Sequence, residues 1–597
     1  MDSNDKIKAV GTNIQEKANL IWNVANSLFG AYKPHEYGLV ILPMAVIKRF
    51  HDCLLPTHDK VLETYEKIKH LAVKEGFLRA AAGGYRFYNT SPFTFERLKT
   101  DPENIKANFE SFINGFSDNV IDILANMGFF NQIDRMSDAG VLYQVISDFC
   151  EDNADMSPNK ISAIDMGYVF ENLVQRFSES YDEEAGAHFT SRDIIYLMCD
   201  MLTMEADFSD PNAPAKTIYD MAMGTSQMLT CMEERIKALD SEADIICYGQ
   251  EINPFTFGIA KADMLIRGGD PDNMQFGDTL NDDKFSGYTF DYCISNPPFG
   301  IDWKREAADI EKEHKLGDAG RFGVGLPAKS DGQMLFMLNG IAKLKDTGRM
   351  AIIQNGSSLF TGDAGSGQSE IRRYIIENDW LDAIVQLPKD SFYNTGIATY
   401  IWIITKDKPA SHREHVLLID ASECYEQRRK PIGNKRMDIT EACRNLIVQA
   451  YGAYTSEIYE KDIGDGKVIV VKSKRMESIA LGYNKITVES PLLDEAGEPV
   501  LRKGKPVADT SKRDTETIPL DEDIDAYFAR EVLPFRPGAW IDRDKTKVGY
   551  EIPFTKTFYE YKELEPADEI AKRIEAHERS LMEKLHALFG EGGEQNE

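Results

Sequence analysis

What the chain has little of narrows the reading first. Cysteine is sparse, eight in 597 residues, with no C-x-x-C pair and no metal-ligand spacing. Neither a disulfide framework nor a metal site is encoded, and reduced thiols of a cytoplasmic protein are expected. No apolar run approaches the roughly 20 residues of a membrane span, and no charged-then-apolar leader opens the chain, so no membrane partner is expected. Positive charge is short as well: 68 Lys and Arg face 98 Asp and Glu, a net charge of −30. A protein that gripped nucleic acid unaided would carry a basic face, because phosphate neutralisation dominates affinity. A local basic cleft stays open, but a partner is expected to supply much of any such grip. What the chain does have is length. Its 597 residues, 42% hydrophobic, suffice for two or three domains and a large core.

The most informative stretch is Asp291-Tyr292-Cys293-Ile294-Ser295-Asn296-Pro297-Pro298-Phe299-Gly300. A strand over Tyr288 to Ile294 runs into two prolines, which lack an N–H, fix φ and cannot continue a central strand. The residue before each proline is pushed out of the helical region. The result is a stiff turn at the C-terminal end of a strand, where open α/β sheets place their ligands. There the Asn296 side-chain carbonyl and the Pro297 backbone carbonyl can converge as acceptors beside the aromatic face of Phe299. That set suits a planar group bearing an exocyclic NH2. Without its flanks, a Pro-Pro pair marks only the start of a loop.

Around this stretch the chain changes rhythm twice. Residues 1–165 read as helical, with Leu20, Ile21, Val24 and Leu28, then Val40, Met44 and Ile47, at helix spacing, and Ser117-Asp118 as a helix start. His35 and His51 read as surface or core residues rather than ligands. Gly186-Ala187-His188-Phe189-Thr190-Ser191-Arg192 precedes an amphipathic helix, with Thr190 or Ser191 as N-cap and amide donors left for a carboxylate or phosphate. Lys216 to Asp220 is a strand, Met221 to Gln227 a turn containing Gly224, and Met228 to Leu239 a helix, which together cradle an anionic or nucleoside ligand. A second strand from Ile245 ends in Glu251, an acid placed to accept ribose hydroxyls, and Asp278 follows a third. Residues 300–330, rich in Gly, Lys and Asp, form a candidate mobile substrate loop. Strands over Arg349–Ile353, Trp380–Leu387 and Thr399–Thr405 complete seven, alternating with helices. The fold class is therefore α/β: a doubly wound, seven-stranded Rossmann-like domain over 166–420, between a helical domain (1–165) and a mixed region (421–597). In that last region Gln427 to Arg436 is a basic cluster, either a solvated face or a contact for nucleic-acid phosphate. Residues 490–515 are an arm or hairpin insert, and Ala567 to Phe589 is an amphipathic helix that either docks a partner or packs on its own domain.

The Asn296-Pro297-Pro298-Phe299 turn resembles the catalytic motif of S-adenosylmethionine-dependent amino-methyltransferases, which act on adenine N6, cytosine N4 or a glutamine amide. Cytosine-N4 enzymes usually carry Ser at the first position, and a release-factor glutamine methyltransferase is about half this length. The order of motifs here, Phe189-Thr190, the Gly224 turn, Glu251 and then Asn296–Phe299, resembles the methylation subunit of type I restriction–modification systems. Leu20-Ile21-Trp22, Lys48-Arg49-Phe50, Lys329-Ser330-Asp331, Phe392 to Gly396 and Lys545 to Tyr550 extend that resemblance over nearly the whole chain. The pattern departs at Ser191, where proline usually follows Phe-Thr. It departs again at Met221 and Ser226, which replace the proline and second glycine of Asp-Pro-x-x-Gly-Ser/Thr-Gly. The resemblance implies methyl transfer from S-adenosylmethionine to adenine N6 of duplex DNA, without a metal. It implies Asn296, Pro297, Pro298 and Phe299 as the catalytic turn. The implied cofactor residues are Ala187, His188, Phe189, Thr190, Ser191, Arg192, Asp220, Gly224, Thr225, Ser226, Gln227, Glu251 and Asp278, with Asp278 accepting from the adenine amine. The implied partners are DNA, a specificity subunit that reads it, a restriction subunit, and a second copy of this chain around one specificity subunit. Two alternatives stand beside this: a scaffold of the same fold whose cofactor affinity is lost through Met221 and Ser226, and a protein-glutamine N5-methyltransferase.

Overall fold

Short β-branched runs alternating with amphipathic helices build one large sheet. The computed structural model describes residue 19 and residues 21–178, 190–204, 206–210, 214–393, 395–464, 466–560 and 566–589. The strands of the central region are β1 (Lys216–Asp220), β2 (Ile245–Glu251), β3 (Met274–Phe276), β4 (Phe290–Ser295), β5 (Leu344–Asn355), β6 (Leu381–Gln386), β7 (Thr399–Thr405), β8 (His415–Asp420), β9 (Glu426–Ile432), β10 (Lys435–Asp438), β11 (Ile458–Asp462) and β12 (Val468–Glu477). Ten of them pair in the order β11-β12-β8-β6-β7-β5-β4-β1-β2-β3. β1 to β5 run parallel, β7 runs antiparallel between β5 and β6, and β6 is parallel to β8. The C-terminal ends of β1 to β6 and of β8 therefore share one edge of the sheet. Ligands of open α/β sheets collect at that edge.

One expectation is corrected here. All seven expected strands are present as β1 to β7, but among the described residues the sheet has ten and runs past the expected boundary at 420: β8 is added beside β6, β12 pairs antiparallel with β8, and β11 with β12. The helix Glu441–Ala453 packs Cys443, Ile447 and Ala450 into the same core as Leu417 and Ile419 of β8. Buried apolar faces on both sides of β8 require these covers, so the chain returns to finish the sheet after the β9–β10 hairpin. The 300–330 segment, expected as a candidate mobile substrate loop, includes regular structure. It contains the helix Ala307–His314, and Trp303 is buried with its indole N–H donating to the Ala328 carbonyl at 3.0 Å. Arg321 binds Glu313 and reaches the carbonyls of Thr279 and Leu280 at 2.7 and 3.1 Å.

The helical region forms a second core. Its longest described helix, Gly38–Leu54, is buried at nearly every position, with Val40, Met44, Ile47 and Phe50 inside. Arg49, buried with them, donates to the Ile161 carbonyl at 2.9 Å. His51 is a core residue bonded to Asp52 at 2.8 Å. Pro254–Ile266, from the sheet region, completes this core with Ile259, Ala262 and Leu265. Gly258 lets the two halves approach, because a Cβ there would lie 2.6 Å from Met127 Cγ.

After β12 a three-stranded antiparallel sheet forms from Gly482–Glu489, Asp514–Pro519 and Trp540–Tyr550. The expected insert is a hairpin, Leu501–Arg502 against Lys505–Pro506. This sheet is tied to the body through Arg372, which is buried and donates to the carbonyls of Tyr550 and Ser358 at 2.6 and 3.0 Å. The described residues from Pro553 onward make a separate unit. Within it the helix Ala567–Phe589 carries Ile570, Ile574, Leu581 and Leu585 along one face. Among the described residues no helix is long and apolar enough to cross a membrane, and no group of three or more His, Cys, Asp or Glu could hold a metal ion.

Candidate active site

At the shared strand edge lies a cavity of about 500 Å3, within the range that encloses a small-molecule cofactor. Each strand end contributes one part. β1 delivers Asp220, β2 delivers Glu251, the turn after β3 delivers Asp278, and the turn after β4 delivers Asn296 and Pro298. Thr190, at the start of the helix Arg192–Thr203, closes the cavity from a distant part of the chain. Gly224, Thr225 and Gln227, from the turn after β1, line it as well.

The electrostatics favour a cation. Among the described residues, the charged ones lining the cavity are Asp220, Glu251, Asp278, Asp302, Glu306 and a single cation, Arg305. Burial pushes the Asp220 carboxyl up to about 7, against the bonds it accepts from the Ser295 hydroxyl at 2.7 Å and the Ala222 amide at 3.0 Å. Burial likewise raises Glu251 and Asp278 above the ordinary carboxylate range. Glu251 is oriented by two backbone amides, Gly224 N–H to one carboxylate oxygen and Asn253 N–H to the other, both at 2.8 Å. Asp278 accepts from the Leu280 amide at 3.0 Å.

Asn296 is buried, and its two amide ends differ. The NH2 donates to the Thr190 hydroxyl at 2.8 Å, whereas among the described residues the buried Oδ1 has no hydrogen-bond partner. A buried carbonyl left open costs free energy unless something fills it. With its NH2 end held, Asn296 keeps Oδ1 available as an acceptor. Phe299, half-buried, meets Phe392 edge-on with ring centroids 6.5 Å apart.

Thr190, Asp220, Gly224, Thr225, Gln227, Glu251, Asp278, Asn296 and Pro298 are thus brought together around one cavity. Ser191, Arg192, Ser226, Pro297 and Phe299 are not among its lining residues. Ser191 is the N-cap of its helix but makes no side-chain capping bond. Arg192 points elsewhere: its guanidinium lies 3.5 Å from the centroid of the Tyr168 ring and pairs with Glu234 at 3.3 Å. Ser226 caps the next helix with φ at 65°, and its hydroxyl is buried without a partner among the described residues. Met221 stands in the cavity wall, with Asn339 donating to its sulfur at 3.6 Å. Ala187, His188, Phe189 and Asn394 lie outside the described residues. Sequence reasoning did not single out Asp302, Arg305, Glu306, Thr279 and Phe336, which also line the cavity. The signal available for the first three was their position, immediately after the Asn-Pro-Pro-Phe turn.

Comparison with known proteins gives one consistent picture. The family model for N-6 DNA methylases matches residues 162–480, and that for the HsdM N-terminal domain matches residues 17–149. The type I restriction enzyme MjaIX methylase subunit of Methanocaldococcus jannaschii is 26% identical over 475 residues, 75% of this chain and 79% of that protein. The HindI methylase subunit of Haemophilus influenzae is 29% identical over 261 residues, 43% of this chain and 54% of that one. Among solved structures, the methyltransferase subunit of a type I restriction–modification system from Streptococcus thermophilus superposes with a TM-score of 0.58 at 20% identity, covering 74% of this chain and 94% of that one. At that identity the match speaks to fold.

Proposed function

The chain belongs to the N-6 DNA methylase family, and from that premise we propose that it methylates adenine N6 in duplex DNA as the modification subunit of a type I restriction–modification assembly. The observation that carries this reading is the open Oδ1 of Asn296, buried in the wall of a cavity whose charged lining residues are mainly acids. S-adenosylmethionine fits the donor set: its sulfonium and ammonium suit the acidic lining, and Glu251 stands at the strand end where dinucleotide folds hold a ribose. When bound, it supplies the methyl group. Asp220, Glu251 and Asp278, with Thr190, Gly224, Thr225 and Gln227, are the residues that would hold it.

The chain's own contribution is placement and polarity. An adenine in a duplex hides its N6 in the stack, so the base must be flipped out to be reached. Asn296 Oδ1 and the Pro297 carbonyl then accept the two N6 hydrogens, which directs the nitrogen lone pair away from them. Phe299, held edge-on by Phe392, supplies a stacking face for the ring. Preorganised acceptors of this kind need no rearrangement at the moment of reaction.

Partners follow from the same reading. The net charge of −30 supports delegation of sequence recognition to a specificity subunit. Two copies of this chain would flank it, a restriction subunit would join for cleavage, and the cytoplasm would be the place of work. The division into a helical region, a methylase region and a C-terminal region belongs to this proposal too. The test is sequencing of modified bases in host DNA with and without this gene. N6-methyladenine at one defined sequence should disappear with the gene; an unchanged modification pattern would refute the assignment.

A further inference from the structure

We infer that the β9–β10 hairpin is a DNA-phosphate contact built beside the catalytic turn, a local exception to the acidic surface of the chain. The inference rests on the proposed DNA methylation. Its first support is charge. Residues 426 to 438 contain five basic residues against two acidic ones in a chain of net charge −30. Arg428 takes up Asp438 at 2.6 Å, whereas Arg429, Lys430 and Arg436 are exposed and enter no ion pair among the described residues.

The second support is position. The C-terminal ends of β4, β6 and β8 lie on one edge of the sheet. The catalytic turn leaves β4 there, the β6–β7 loop leaves β6, and the hairpin follows β8. Three contacts fix their neighbourhood. The Asn434 amide donates to the Tyr393 carbonyl at 2.7 Å, and the Arg436 amide to the Asp390 carbonyl at 2.8 Å. Phe392, from the same loop, packs edge-on against Phe299 of the catalytic turn.

The third support is anchoring. Lys435 is 1% exposed, and its ammonium binds Asp193 at 3.0 Å and the Ser391 and Met437 carbonyls at 3.1 and 2.8 Å. Asp193 sits in the first turn of the helix that follows Thr190, the partner of Asn296. One cation of the cluster thus pins the hairpin to the site, and the exposed ones remain for a ligand. Exposed guanidinium and ammonium groups beside a pocket for a flipped base suit the phosphates flanking that base, where contacts set register without reading sequence.

The test compares the full chain with a triple variant, Arg429→Ala, Lys430→Ala and Arg436→Ala. A control triple, Lys33→Ala, Lys60→Ala and Lys160→Ala, removes equal charge from exposed positions of the helical region. Binding to a fluorescein-labelled 20-base-pair duplex is followed by anisotropy across a salt series. The hairpin variant should bind about tenfold or more weakly at 0.1 M salt, with the slope of log K against log salt reduced by about 2 to 3. The control should follow the unsubstituted chain. Equal loss in both variants, or loss in neither, overturns the hairpin assignment; loss in neither is also what a hairpin made for an acidic protein surface would give. Transfer of a labelled methyl group to DNA by the unsubstituted chain with its specificity partner is measured alongside. Its failure would overturn the proposed function itself, whereas normal transfer with unchanged anisotropy would overturn the hairpin contact alone.

Discussion

Asn296 is held at one end and open at the other, and two substitutions separate these halves. Asn296→Ala removes the acceptor and should lower methyl transfer by about 100-fold or more. Cofactor affinity by calorimetry should stay near normal, because the acids of β1 and β2 are untouched. Thr190→Val leaves the Asn296 NH2 without its partner and frees the amide to turn. It should lower kcat by about tenfold, and Thr190→Ser, which keeps the hydroxyl, should restore it. A Val variant with unchanged kcat would reduce Thr190 to a wall residue. Asp220 gives a prediction in pH. Its carboxyl is raised to about 7 by burial, so the folded chain holds this proton more tightly than the unfolded chain. Its stabilising contribution is therefore complete below the ordinary carboxylate range and lost as pH rises from about 4 through about 7. The loss amounts to at most about 4 kcal/mol. Denaturant unfolding at pH 5 and pH 8 should show a smaller difference for Asp220→Asn than for the unsubstituted chain. An equal difference would remove Asp220 as its source.

At the scale of elements, the turn after β1 shows what the sequence could and could not reveal. Ser226 occupies a position whose φ of 65° favours glycine, and its hydroxyl is buried without a partner among the described residues. Ser226→Gly should raise stability by about 1 kcal/mol, as judged by denaturant midpoint. A lower midpoint would mean that the side chain fills space the helix needs. The position of that departure was legible, because strand, glycine and helix follow one another within a few residues. The ends of β1 and β2 and the turn after β4 were legible for the same reason, each closing a short apolar run with a distinctive residue. The outer strands were not. β12 is separated from β8 by a hairpin, a helix and β11, so only pairing in space makes it a neighbour. Arg192 read as part of an anion-binding helix start, but Glu234, 42 residues on, takes it up. Thr190 read as a cap, while its hydroxyl serves Asn296 across 106 residues. Local chemistry is visible in a sequence; pairings this distant need the fold.

At the scale of the molecule, charge and chemistry divide the labour. With a net charge of −30 and one basic hairpin near the catalytic turn, the chain alone should hold duplex DNA weakly at physiological salt. Its affinity should lie in the non-specific range, several orders below the roughly 10⁻⁸ to 10⁻¹¹ M of specific complexes. Matched and scrambled duplexes should bind it alike in anisotropy, and adding the specificity subunit should create the distinction. Tight, discriminating binding by the chain alone would show that it reads DNA itself. The most direct test of the whole account is the identity of the methylated product. Duplex DNA is incubated with the chain, its specificity partner and methyl-labelled S-adenosylmethionine, then digested to nucleosides and resolved by mass spectrometry. The label should appear in N6-methyldeoxyadenosine. Label in N4-methyldeoxycytidine, or in a protein glutamine and not in DNA, would contradict it.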